Sequence, residues 1–367
     1  MNKNIVFNAN SSWYLFNFRK NSIASLVNNG FWVVCMAPED EYSERLREYC
    51  SEFIPINFKK SSTNLFHDLI IIIKFIYFFL KIKPKLVFNF TIKNNIYGAI
   101  AGYFSKTKVV NNISGLGSSM LIKNNLSLII VFLYKVIKNI PIHTHIQNND
   151  DFIFLKDRNL INCNNASVLP GSGVDTEFFK PRTNYKKNGL FTFIYIGRLI
   201  ADKGIIELLD ACKDLRKGSK SFCLNMVLKV DKENPSSLDS SFITEYANTN
   251  YVNIFYNISD VRDLIANSDC FVLPSYREGL SRSALEAMAM AKPLILSDVP
   301  GCSELIIEGE NGLLCDPRSS SSLYSMMSKM LKISHNDRIS MGNRSRKIVE
   351  DNYDEKIVIN KLFELIN

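Results

Sequence analysis

Short apolar runs alternate with amphipathic stretches along the whole chain. Ile5 to Asn8 has the length of a strand, Asn17 to Asn29 has helical spacing and stops at Gly30, and Phe31 to Met36 reads as the next strand. The rhythm continues with a helix over 65–81, a strand from Leu86 to Asn89 after Pro84, a helix near 94–104 and a strand from Val109 to Ile113. Over 170–189 (PGSGVDTEFFKPRTNYKKNG) it breaks into Gly, Pro and Lys, and a fresh series opens at Phe191 to Ile196. That series sets strands near 191, 224, 252, 270 and 294 between helices near 204, 237, 260 and 282, with helices following. Such alternation predicts an α/β protein with doubly wound parallel sheets, and the break predicts a first domain over 1–180 and a second over 181–350.

Composition supports two cores: 367 residues, 46% hydrophobic and 22% charged, describe a globular chain rather than a disordered one. The net charge of +8 is lopsided, because residues 1–180 carry 20 Lys and Arg against 12 Asp and Glu, whereas the remainder is balanced. An anionic partner is therefore expected for the first half, a membrane surface or lipid-linked phosphate competing with nucleic acid. Eight scattered cysteines form no C-x-x-C pair and read as small core residues in a reducing compartment. The opening MNKNIVFNANSSWYLF lacks the order of a signal peptide, and no uncharged apolar stretch reaches the roughly 18 to 20 residues of a membrane span. A cytoplasmic address is expected. Leu69 to Leu80, trailed by Lys81, Lys83 and Lys85, and Leu126 to Ile137 are too short to span; each reads as a core helix or as one resting on a bilayer interface.

Chemistry concentrates in the second half. In EGLSRSALE, Glu278 precedes a helix that Ser281 is placed to open, and Glu286 falls in its second turn. The backbone N–H groups of Gly279, Leu280 and Ser281 are expected at the helix start, where the macrodipole favours an anion. An ordinary capped helix with solvated acids would show the same letters. Upstream, FIYIGRLIADKGIIELLDA reads as strand, turn and helix. Gly197 admits close backbone approach, Arg198 offers a planar fork to phosphate oxygens, and Lys203 before Gly204 supplies a point charge. Cations that merely decorate a helix start are the plain alternative. In the first half, Trp13, Asn17 and Arg19 are expected on the first strand-to-helix connection, at the ligand-binding edge of an open sheet. His143 and His145 form H-x-H without a visible third metal ligand, so strand histidines are the expectation.

Taken together, Gly-Arg-x4-Lys-Gly, PSYREGLSRSALEAMAMAKPLILSD and VPGCSELIIEGENGLL resemble the donor domain of family 4 glycosyltransferases of the GT-B fold. The resemblance implies two Rossmann-like domains facing a cleft, with the helix over 351–367 returning to the first domain. It implies a retaining, metal-independent hexosyl transfer with no cofactor, and the chain contains no D-x-D triplet. Carried over, Glu278 meets the transferred sugar, Glu286 the ribose, and Arg198 with Lys203 the diphosphate. Gly173, Val174 and Asp175 of PGSGVD fall near the cleft.

WYLFNFR at 13–19, SGLG at 114–117, IQNNDDFIF at 146–154 and KVDKENPSS at 229–237 resemble the bacterial branch that extends undecaprenyl-diphosphate-linked sugars for O-antigen, capsule or related glycans. Partners implied are a nucleotide-sugar, UDP-linked, a lipid-linked saccharide acceptor and an anionic membrane on its inner face, with no nucleic acid. Trp13, Asn17, Arg19, Ser114 and Gly115 are the acceptor-side residues. Three departures stand out: NANSSWYLFNFR replaces a glycine-rich loop, Ser114 stands where many relatives have His, and Lys229 and Val230 stand where a glycine is usual. Two rival readings are an epimerase or phosphorylase of the same fold, and a non-catalytic basic protein binding membrane or nucleic acid.

Overall fold

The computed structural model describes residues 3–56, 65–116, 120, 125–182, 189–218, 221–231, 234, 236–247 and 249–367. Gly117 of SGLG and positions 232, 233 and 235 of KVDKENPSS lie outside the described residues. The chain divides into two compact units, Met1–Ser172 with Val358–Asn367, and Gly173–Ile357. The division falls at Ser172 rather than near 180 because the following segment is tied into the second unit. Val174 N–H donates to Tyr353 O at 2.9 Å, Glu355 N–H donates to Val174 O at 3.0 Å, and Arg346 Nη1 donates to the carbonyls of Thr176 and Phe179 at 2.8 and 3.0 Å.

In the first unit, β1 (Asn4–Asn8), β2 (Trp32–Ala37), β3 (Glu52–Pro55), β4 (Leu86–Phe90), β5 (Val109–Ile113), β6 (His143–Ile146) and β7 (Ala166–Val168) pair in the order β3-β2-β1-β4-β5-β6-β7, every pairing parallel. The helices are α1 (Ser12–Asn28), α2 (Ser43–Arg47), α3 (Leu65–Ile82), α4 (Ile92–Ser105), α5 (Asn125–Ile137) and α6 (Asn149–Asp157). Strand residues alternate between two cores. Val6, Val87 and Val109 pack with Phe75 and Phe79 of α3, Ala99 of α4 and Tyr134 of α5. Ile5, Phe7, Phe88 and Val110 pack with Leu15 and Ile23 of α1, and with Leu362 and Ile366 of the last helix, Glu355–Ile366. Helix α1 starts five residues before Asn17, because Ser11 caps it: its side chain accepts the Tyr14 N–H at 3.2 Å.

At the carboxyl edge of this sheet lies a buried asparagine network that no apolar pattern announces. Asn94 Nδ2 donates to Asn8 Oδ1 (2.6 Å), Asn8 Nδ2 to Asn89 Oδ1 (3.1 Å) and Asn89 Nδ2 to Asn111 Oδ1 (3.0 Å). The chain of bonds satisfies polar groups that burial would otherwise penalise, and it pins the start of α4 onto the sheet.

In the second unit, β8 (Phe191–Arg198), β9 (Phe222–Lys229), β10 (Val252–Tyr256), β11 (Cys270–Leu273), β12 (Leu294–Ser297) and β13 (Gly312–Cys315) pair in the order β10-β9-β8-β11-β12-β13, again all parallel. Around them run α7 (Ile205–Lys217), α8 (Ser240–Ala247), α9 (Arg262–Ala266), α10 (Arg282–Ala289), α11 (Ser320–Lys332) and α12 (His335–Asn352). One continuous core joins β8, β9, β11 and β12 to α7, α10 and α11.

Candidate active site

In an open parallel sheet, ligands bind beyond the carboxyl ends of the strands, where the strand order reverses. In the second unit that point lies between β8 and β11, since β9 and β10 follow on one side and β12 and β13 on the other. The loop after β8 makes a tight turn over Ala201–Lys203, and Gly204, at φ 70°, opens α7. A Cβ at position 204 would stand 2.0 Å from Pro274 O, so glycine lets this loop close on the loop after β11. Tyr276 N–H donates to Asp202 O at 2.9 Å and Ser275 Oγ to the same oxygen at 3.3 Å. This clamp brings Lys203 Nζ to Glu278 Oε1 in a hydrogen-bonded ion pair, with the side chains only 14% and 12% exposed.

A third loop supports Glu278 from the end of β12. Gly301, at φ 75°, has no room for a Cβ, which would lie 2.5 Å from Glu278 O. Glu278 N–H donates to Pro300 O (3.1 Å) and Ser281 N–H to Gly301 O (3.2 Å). The Ser281 amide is therefore committed to a backbone partner instead of facing an anion as expected. Its side chain does cap α10, accepting the Ala284 N–H at 3.3 Å. Leu280 is half-buried against the core, and the Gly279 carbonyl crowds position 301.

The other two charged residues also hold partners. Arg198, the last residue of β8, donates from Nη1 to Asp231 Oδ2 at 2.9 Å, and it remains 44% exposed. Gly197 leaves room for the Tyr195 hydroxyl, 2.6 Å from where a Cβ would stand, and that hydroxyl donates to Arg198 O at 3.3 Å. Burial and then the Glu278 charge push the Tyr195 pKa up, so it stays a neutral donor. Glu286, in the second turn of α10, accepts from Arg282 Nε at 3.1 Å. Burial raises its pKa, and Arg282 opposes that rise. Each of Glu278 and Glu286 thus has its own cation. Asp231 was not singled out by the sequence; its place two residues past Lys229, which pairs with Arg198 across β8 and β9, is the signal that could have found it. Gly301 entered only as a letter of the VPGCSELIIEGENGLL segment.

Gly173 and Asp175 have local duties. Gly173 (φ 64°) packs where a Cβ would lie 2.5 Å from Glu355 Cα, and Asp175 Oδ1 accepts the N–H groups of Glu177 and Phe178 at 3.0 and 2.9 Å. In the first unit, Trp13, Asn17 and Arg19 lie inside α1, not on the connection before it. Trp13 N–H donates to Asp40 Oδ2 (3.0 Å) and packs edge-on against Phe18, while Asn17 Nδ2 is spent on Trp13 O (2.8 Å). Arg19 is 2% exposed and turned inward over the Phe90 ring, 4.5 Å from its centroid, with Nε and Nη1 buried and without a hydrogen bond. It is not the surface group an acceptor would meet. Ser114 Oγ pairs with Tyr14 OH at 2.8 Å just past β5, and Gly115 follows at φ 105°. His143 and His145 both reach Ser167 Oγ, at 2.8 and 3.3 Å, as strand histidines; burial, then the charges of His143, Arg19 and Lys361, push the His145 pKa down to about 3.

Comparison with known proteins agrees with this architecture. The model of the family "Glycosyl transferases group 1" matches residues 176–348. Among curated proteins, the N,N'-diacetylbacillosaminyl-diphospho-undecaprenol alpha-1,3-N-acetylgalactosaminyltransferase of Campylobacter jejuni is 28% identical, covering 96% of this chain and 95% of its own length. The capsular polysaccharide biosynthesis glycosyltransferase CapM of Staphylococcus aureus is 26% identical over 88% of this chain and 87% of its own. Among solved structures, a glycosyltransferase from Rickettsia africae superposes with a TM-score of 0.81 at 17% identity, covering 100% of this chain and 98% of the other. Anabaena Alr3699/HepE in complex with UDP and glucose gives 0.80 at 17% identity, covering 99% and 98%. With paired charges held at the switch point of its second sheet, the chain is a glycosyltransferase of GT-B fold whose residues 176–348 form a domain of the glycosyl transferases group 1 family.

Proposed function

We propose that this protein is a retaining glycosyltransferase that moves a hexose or N-acetylhexosamine from a UDP-sugar to an undecaprenyl-diphosphate-linked saccharide, on the inner face of the membrane, during O-antigen, capsule or related glycan assembly. The observation that carries the reading is the Lys203–Glu278 pair, held by three loops at the switch point with Arg198 at the end of the adjoining strand β8. As the anomeric bond breaks, negative charge gathers on the leaving diphosphate. Lys203 and Arg198 are the cations to meet it, exchanging their carboxylate partners for phosphate oxygens. In this reading Glu278, relieved of Lys203, accepts from sugar hydroxyls, and Glu286 from the ribose. The acceptor assignment is supported by the name of the Campylobacter relative, the capsule reading by that of the Staphylococcus relative, and the UDP assignment by the Anabaena complex. No metal is assigned a role, because two side-chain cations supply the charge that a divalent ion supplies elsewhere.

The test is a thermal-shift screen of nucleotide-sugars followed by transfer to a synthetic lipid-diphosphate saccharide, run with and without excess EDTA. A ligand that binds only the folded state raises the apparent melting temperature. The reading expects one UDP-sugar to stabilise the protein and acceptor-dependent transfer to persist under chelation. Full-rate consumption of the donor without acceptor would instead identify an epimerase or phosphorylase. Loss of transfer on chelation, restored by Mg²⁺ or Mn²⁺, would remove the metal-independent mechanism.

A further inference from the structure

Helices α3, α4 and α5 cover one face of the first unit's sheet, and their apolar residues point outward as well as inward. On α3, Ile71, Phe75 and Phe79 enter the core, yet Leu69, Ile73, Tyr77 and Leu80 are each more than half exposed. On α5, Ile130, Tyr134 and Ile137 enter the core, while Leu128, Phe132 and Val136 stay exposed at 67%, 64% and 59%. Helix α4 lies between them, joined to α3 by the Lys93–Asp68 ion pair (3.3 Å) and to α5 by the Asn95–Tyr134 hydrogen bond (3.3 Å). Its last turn presents Tyr103 and Phe104, about two-thirds exposed. A helix that is apolar all round needs a second apolar phase outside its own core.

The charge on the same stretch is one-sided. Residues 53–149 contain 12 lysines, no arginine and a single acid, Asp68, which Lys93 already holds. In a parallel sheet the crossover helices run against the strands, so the far ends of α3, α4 and α5 all lie at the amino edge. There stand Lys81 in the last turn of α3 with Lys83 and Lys85 after it, Lys106 and Lys108 after α4, and Lys135 in the last turn of α5, all exposed. An apolar carpet with a lysine border along one edge is the layout of an interfacial surface: side chains enter the acyl boundary, and ammonium groups meet anionic headgroups.

We propose that the outer face of α3, α4 and α5 docks this protein onto an anionic lipid bilayer. The proposal extends the lipid-linked acceptor reading by giving the acceptor's membrane a landing surface. A second copy of the chain is the other candidate for such a face, but a two-fold contact would set one lysine border against another.

The test is flotation of the whole protein with phosphatidylcholine vesicles, with or without phosphatidylglycerol, at low and high salt and with no acceptor present. Two sets of exposed substitutions are compared: Ile73→Gln with Phe104→Gln and Phe132→Gln, and Lys83→Gln with Lys85→Gln, Lys106→Gln and Lys108→Gln. Wild type should float with the anionic vesicles and much less with the neutral ones. Either set should weaken binding by about tenfold or more, high salt should mimic the lysine set, and UDP-sugar affinity by calorimetry should not change. Absence of wild-type flotation at low salt, or flotation of both variants equal to that of wild type, would overturn the docking surface while leaving sugar transfer to its own assay. A wild-type dimer in sedimentation velocity that the apolar set dissociates would make the face a self-contact instead.

Discussion

Lys203 and Glu278 neutralise each other with both side chains largely buried, so substituting one leaves the other without its ion-pair partner. Lys203→Ala should lower kcat by about 10²-fold or more, the size expected for a lost transition-state charge donor, and should also lower the melting temperature. Adding Glu278→Gln to that variant should restore much of the melting temperature and none of the activity, measured by paired thermal melts and initial rates. Arg198→Ala should cost a similar factor in rate with little change in melting, because its bond to Asp231 is half-exposed and surface pairs contribute little stability. His145 makes the opposite kind of statement. Its pKa sits near 3 in the fold against an ordinary value near 6.5 unfolded, so the unfolded chain takes up the proton first. Stability is then full above pH ~6.5 and falls by up to about 1.4 kcal/mol per pH unit between there and ~3 from this group alone. Urea midpoints from pH 7 to 5 should fall more steeply in wild type than in His145→Gln.

At the scale of elements, the loop between β8 and α7 works only because Gly204 is a glycine. Gly204→Ala meets both a left-handed φ and the Pro274 carbonyl, and should cost about 1–3 kcal/mol in urea unfolding and weaken UDP-sugar binding in calorimetry. Such elements were legible to different degrees. The strands Ile5 to Asn8 and Phe191 to Ile196 and the helix over 65–81 emerge from apolar spacing, because each buries its own pattern against a neighbour. The strands Glu52–Pro55 and β13, each at an edge of its sheet, do not: Glu52–Pro55 buries only Phe53 and Ile54, and β13 follows directly on the Gly309–Asn311 turn. The early start of α1 was written in Ser11, but the aromatic run behind it masked the cap. At the site, the Glu278 and Lys203 positions were readable as chemistry; their meeting was not, because it depends on loops from β8, β11 and β12 converging through Gly204 and Gly301. Arg19 was misread for the same reason: only tertiary packing decides whether a mid-helix arginine faces water or Phe90.

Over the whole molecule, the first unit is discontinuous: Met1–Ser172 is completed by Val358–Asn367, with the entire second unit between them in sequence. Leu362 and Ile366 lie in the same core as Ile5, Phe7 and Phe88. Synthesis at roughly 5–20 residues per second places about ten to forty seconds between the emergence of the first unit's sheet and that of the helix that seals it. During that interval the second unit, made of one unbroken segment, can finish folding while the first still shows an open apolar face. Leu362→Asp with Ile366→Asp should therefore strand the first unit in this half-made state, seen as aggregation and chaperone association in cells, while a melting transition from the second unit remains in the soluble fraction. The order in which the two units become complete on the ribosome is thus the reverse of the order in which their first strands are made.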